Sequence, residues 1–163
     1  MNKFDESKHP RDKEGKFTRK ENSLAIESGA KSGALNPLDE KDYDKAKAHA
    51  ELMYLEIKKR KNDYKKVSKN ANISENQAKR IKEYVFNNEE FVPDFDQAES
   101  WRRLTEGNPL EIDYLFIKHE LYEMSLRDKG IEYEKAHELT NRKFDYGKAM
   151  KEYYNGKTNK KTT

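Results

Sequence analysis

From about residue 37 onward, apolar residues return at three- and four-residue intervals, and alternating runs are absent apart from a short Phe91-Val92 piece. Ala46, Ala50, Met53, Tyr54 and Ile57 mark a first helix, opened by Asn36-Pro37 and running to about Lys61. Asp63 is placed to cap a short helix over 64–70, and Ser74 to cap another through Ala78, Ile81 and Val85 to about Asn87. Pro93 interrupts the chain. Asp94 or Asp96 then caps a helix through Trp101 and Leu104 that stops at Gly107. Asn108-Pro109 opens a long helix ending at Gly130, and a last helix is predicted from about Glu132 to Tyr154. The pattern predicts an all-α domain, a small bundle of five to six helices.

The long helix, Leu110–Lys129, is apolar on two sides. Leu110, Tyr114, Ile117, Leu121 and Met124 form one stripe, and Leu115, Phe116, Tyr122 and Leu126 lie opposite, with His119 and Glu123 on their side. A helix with two apolar faces belongs at the centre of a bundle. Residues 1–36 hold only isolated apolar positions (Phe17, Leu24, Ile26) among charges and glycines, too few to offset the entropy of ordering them. They read as a disordered basic and polar arm, 37–154 as a single helical domain, and 155–163 as a disordered basic tail.

Composition narrows the classes. At 163 residues, 33% apolar and 40% charged, the core must be lean, but ten Tyr, seven Phe and one Trp bury large areas per residue. The absence of Cys excludes disulfides, thiolate metal sites and a cysteine nucleophile. No run resembles a signal peptide or a membrane span, so no membrane partner is expected. Charge is segregated: residues 58–82 carry ten basic side chains against Asp63 and Glu75, whereas 83–140 carry fifteen acidic against six basic ones.

Within the basic band, Val67, Ala71, Ile73, Ala78 and Ile81 fall where a helix-turn-helix keeps its buried positions. Asn72 stands at the turn position, where Asn tolerates a left-handed backbone. A DNA-contacting pair would place the second helix in the major groove, with Asn76, Gln77 and Arg80 toward bases and Lys79, Arg80 and Lys82 toward phosphates. Equally, two short helices joined by a tight turn serve as scaffolding with a solvated basic face.

Counting outward from the Gly130 turn sets His137 level with Glu123 and places His119 one turn further along. His119, Glu123 and His137 are therefore candidate metal ligands, since two imidazoles and a carboxylate can ligate zinc. His119, Glu120 and His137 are candidate acid–base groups, with Arg102, Arg103 and Lys118 of the type that contacts a phosphate, the two arginines being equally suited to pair with nearby acidic residues. Lys118-His119-Glu120-Leu121-Tyr122-Glu123 is not the zinc-protease pattern, because Glu123 replaces the second His. Histidines hydrogen-bonded within a core are the plainer alternative. The sequence requires no cofactor and leaves enzyme and binding protein both open.

Two groups of residues carry a resemblance. His9-Pro10-Arg11-Asp12-Lys13-Glu14-Gly15-Lys16-Phe17-Thr18 is similar to a short segment of bacteriophage structural proteins. Asp94–Leu104, Leu115–Glu120, Glu134–Glu138 and Phe144–Tyr146, within 64–146, resemble a domain at the carboxyl end of some head-morphogenesis (minor capsid) proteins of Gram-positive phages and prophages. The resemblance leads to the expectation of a long portal-associated region upstream, which these 163 residues do not include. The resemblance implies a head-associated structural or assembly protein, with phage head or portal proteins as partners and nucleic acid as a further one. Its place would be the host bacterial cytoplasm or the virion. It carries over no catalytic residue. A nuclease-like effector using His119, Glu120 and His137, and a helix-turn-helix regulator, stand as the competing expectations.

Overall fold

In the computed structural model, residues 35–161 are described, with side chains through residue 156. The arm expected over 1–36 lies outside the described residues except for Leu35 and Asn36, as do the last two residues of the tail. Seven helices follow one another among the described residues, and none of these residues forms a strand: α1 (Glu40–Lys59), α2 (Asp63–Ala71), α3 (Glu75–Phe86), α4 (Phe95–Glu106), α5 (Glu111–Asp128), α6 (Tyr133–Lys143) and α7 (Tyr146–Lys161). The helix ends show why. Ser74 and Gln77 form a reciprocal capping box at the start of α3, and Asp94 caps α4 through the Gln97 amide. Gly107 (φ 83°) and Gly130 (φ 86°) close α4 and the α5–α6 turn in the left-handed region.

Asn72 ends α2 at φ 54° and ψ 49°, the left-handed turn its residue type permits. Replacing it with Val, which crowds that conformation, should cost about 1–2 kcal/mol, read from urea denaturation. Asn72→Gly should cost nothing.

Three boundaries differ from expectation. Asp63 does not cap α2; the cap position is Asn62, which makes no side-chain bond there. The Asp63 carboxylate is instead buried, taking the Trp101 indole N–H at 2.9 Å and the Lys82 ammonium. The last predicted helix is two helices. Phe144 leaves helical geometry (φ −135°, ψ 80°) and Asp145 restarts the chain by accepting the Lys148 amide. Finally, α7 continues past Tyr154 to Lys161.

The core explains the order of packing. Trp101, Phe86, Phe116, Met53, Ile57, Ile81 and Leu104 are almost fully buried, with Phe86 and Trp101 rings 5.3 Å apart. The helix α4 packs against α1, α2 and α5, while α5 touches α3, α4, α6 and α7, the central position its two apolar faces implied. Leu35 closes a smaller cluster with Ala46, Ala50 and Phe95. No described helix is long and apolar enough to cross a membrane.

Between these apolar layers runs a buried ionic network. Glu99 accepts from His49 at 2.8 Å and from Arg102 at 2.9 Å. Arg103 grips Asp113 with two bonds of 2.8 Å, and Asp113 also accepts the Leu110 amide that opens α5. Burial works to raise the Glu99 pKa, but the His49 and Arg102 bonds outweigh it and the carboxyl is held below its ordinary value.

Candidate functional site

The helical hairpin α5–α6 brings His119, Glu123 and His137 together. One ligand atom from each lies within 4.8 Å of the other two. His119 Nε2 is 3.3 Å from Glu123 Oε2, and His137 Nδ1 is 2.9 Å from the same oxygen. The other carboxylate oxygen, Oε1, accepts the Tyr84 O–H from α3 at 2.6 Å. His119 Nδ1 lies 2.8 Å from the Phe144 carbonyl at the α6–α7 break. A carbonyl only accepts, so Nδ1 carries hydrogen and Nε2 is the nitrogen turned toward Glu123.

The electrostatics follow from these contacts. Burial opposes charge on His119, yet the Glu123 bond, the nearby Glu120 charge and the Phe144 carbonyl outweigh it and raise the imidazole pKa. Burial likewise works to raise Glu123, and the bonds from His119, Tyr84 and His137 bring it below its ordinary value. Glu120 behaves differently. It is 3% exposed, and no hydrogen bond from the described residues reaches its carboxyl. Burial first, then the repulsion of Glu123 and Asp94, push its pKa to about 8 against the pull of His119.

These groups face open space. A cavity of about 320 Å³ is lined by His119, Glu120, Glu123 and His137 together with Tyr133, Phe91, Val92, Asp94 and Gln97. A second hollow, also lined by His119 and His137, is bounded by Asp96, Asn141, Asp145 and Tyr146. Among the described residues no Lys or Arg lines either one. His137 is the outer member, its side chain 43% exposed, and Tyr133 stacks on its ring at 5.5 Å.

The remaining candidates lie elsewhere. Arg102 and Arg103 are buried and bound to Glu99, Glu106 and Asp113, away from the cavity. Lys82 is buried against Asp63 and the Arg60 carbonyl. Arg80 pairs with Asp128 at 2.9 Å across α3 and α5, while Lys79 and Lys118 are exposed. Sequence reasoning missed Tyr84, Tyr133 and the Phe144 carbonyl. Tyr133 sits four residues before His137 on one helix, a spacing that places it beside that ring. Tyr84 and Phe144 reach the site from other elements, with no local signal.

No protein-family model, curated protein or solved structure matches the chain.

Proposed function

We propose that the chain is a phage or prophage effector enzyme, a hydrolase that works in the α5–α6 cavity and is carried with the head or assembled beside it. The observation behind the hydrolase reading is the convergence of His119, Glu120, Glu123 and His137 on one cavity. A carboxyl whose pKa of about 8 lies close to working pH can both take and return a proton, the property a general acid–base needs. In the step envisaged, Glu120 takes a proton from a water in the cavity as its oxygen bonds to the substrate's electrophilic centre. The same proton then passes to the leaving group. The phage setting rests on the resemblance of residues 64–146 to a carboxyl-end domain of head-morphogenesis proteins.

The lining also limits the substrate. With no Lys or Arg among the described lining residues, the cavity offers a phosphodiester no basic side chain to pair with. A neutral or cationic amide or ester suits it better than the phosphodiester of a nuclease, for which Arg102 and Arg103 would have to leave buried carboxylates. Glu120→Gln should lower turnover by about 10²- to 10⁴-fold with its circular-dichroism spectrum unchanged. Screening wild type and Glu120→Gln against peptide, ester and nucleic-acid pools tests both points. Equal activity of the two proteins, or cleavage of nucleic acid alone, would sink this reading.

A second, non-enzymatic reading draws on a different surface. Lys58 and Lys59 at the end of α1, Lys61, Lys65, Lys66 and Lys69 in and before α2, and Lys79 in α3 are all exposed, side chains suited to nucleic-acid phosphates during head assembly. Binding there should weaken steeply between 50 and 200 mM salt, as phosphate-dominated contacts do, by several orders of magnitude if about six phosphates are engaged. A filter-binding series measures it. Sequence-specific reading by α3 has less support, since Gln77 is held in the capping box and Arg80 is paired with Asp128.

A further inference from the structure

We propose that His119, Glu123 and His137 form a binding site for one divalent transition-metal ion, of the zinc class, with Glu120 beside its open coordination position. This rests on the hydrolase reading for its purpose but not for its geometry, which makes its own case.

Three features carry it. The first is donor type and spacing. Four-coordinate zinc takes nitrogen and oxygen ligands at about 2.0–2.1 Å, so neighbouring ligand atoms on a tetrahedron stand roughly 3.3 Å apart. His119 Nε2 and Glu123 Oε2 are 3.3 Å apart. His137 Nδ1, at 2.9 Å from that oxygen, must move out by a few tenths of an ångström, and it belongs to the most exposed of the three side chains.

The second feature is the surrounding support. The Nδ1–H of His119 points at the Phe144 carbonyl at 2.8 Å, which fixes the tautomer and aims the Nε2 lone pair into the cluster. Metal-bound imidazoles are held in this way, by a carbonyl or carboxylate on the far nitrogen. Glu123 is anchored at its other oxygen by the Tyr84 hydroxyl, leaving Oε2 for the shared point. A metal ion there would take the place of the proton that His119 otherwise shares with Glu123.

The third feature is the cavity itself. The three donors leave a fourth tetrahedral position, and they line an open space of about 320 Å³ on the side where Glu120 also lies. Glu120 is 3% exposed, lines that space, and receives no hydrogen bond from the described residues. Two His, one Glu and an open position make up a donor set used by catalytic zinc. In linear order His119-Glu120-x-x-Glu123 departs from the zinc-peptidase helix, which has His at both ends. Here the second imidazole comes from the next helix, as His137, and the carboxylate ligand takes the place it left.

The test uses the full chain and the metal alone. Zinc is titrated in competition with a chromophoric chelator, and cobalt is titrated with visible absorption as the readout. Wild type should bind one ion per chain with submicromolar affinity and give the intense cobalt bands of a tetrahedral site. His137→Ala, a change at the exposed edge, should weaken binding by at least about 100-fold, more than the 10- to 100-fold typical of losing a mere supporting group. Glu120→Gln should keep the stoichiometry. Should His137→Ala fail to fold, the wild-type imidazole proton resonances decide: of the four histidines, two should shift when zinc is added. No stoichiometric binding of zinc, cobalt, nickel or manganese at micromolar concentration overturns the proposal, as does unchanged affinity in folded His137→Ala. Turnover is read separately. A chain that binds the ion and cleaves nothing sinks the hydrolase reading alone, and one that cleaves in chelator without binding any ion sinks the metal site alone.

Discussion

Arg103→Met should be the most damaging single substitution in the ionic layer, with an expected loss of about 3–5 kcal/mol. Asp113 is fully buried and takes both of its side-chain partners from Arg103 and from the Leu110 amide. Removing the guanidinium leaves its charge in the interior with one backbone donor, a worse state than either the intact pair or an apolar replacement of both. For a domain whose whole stability is on the order of 5–15 kcal/mol, such a loss brings the chain close to unfolding at physiological temperature. Urea denaturation of Arg103→Met against wild type measures it. The double variant Arg103→Met, Asp113→Leu should recover much of the loss but not all, because the Leu110 amide then lacks its acceptor. If Arg103→Met costs under 1 kcal/mol, the pair is not the tie between α4 and α5 that its geometry implies.

Glu120→Gln should act in the opposite sense, stabilising the protein at pH 8 by up to about 4 kcal/mol, with the gain vanishing near pH 5. Glu120 has its pKa raised from 4.5 to about 8 in the fold. Between these values the native state holds a proton that the unfolded chain releases. Protons bound are thus greater in the native state, and stability falls as pH rises through that window. Glutamine carries no such dependence. Thermal melts of both proteins in chelator at pH 5, 6.5 and 8 should therefore start together and diverge. Curves that stay parallel would mean that Glu120 is better solvated than its 3% exposure suggests. A residue that lowers stability where it sits is most simply retained for chemistry.

What could be seen in advance divides by distance along the chain. The ends at Ser74, Gly107 and Gly130 and the left-handed Asn72 were legible because capping and turn chemistry is local. The approach of His137 to Glu123 was legible because a tight turn fixes the register of the two helices that leave it. The fates of Arg102 and Arg103 were not. In sequence both arginines suit either a site or a nearby acidic partner, and only the fold reveals that Glu99, Glu106 and Asp113 already hold them. Asp63 misled for a related reason: a residue type suited to capping was needed more by Lys82 and Trp101, from two other helices. The break between α6 and α7 carries no Gly or Pro, and its one local sign is Asp145, a residue type that starts helices.

That break ties two parts of the molecule into one equilibrium. The Phe144 carbonyl serves both the Tyr146 amide and His119 Nδ1. A helix continuous through this point would have spent that carbonyl on its own ladder. Tyr146 lines the second hollow, and its hydroxyl meets Ser100 at 2.7 Å, so the first turn of α7 is seated beside the carbonyl that aims the imidazole. Detachment of α7 and misalignment of His119 are then a single opening event with a single free energy. Whatever occupies the cavity and grips His119 must raise that free energy by its own binding energy. The backbone amides of α7 beyond Met150 should report occupancy as slower hydrogen exchange.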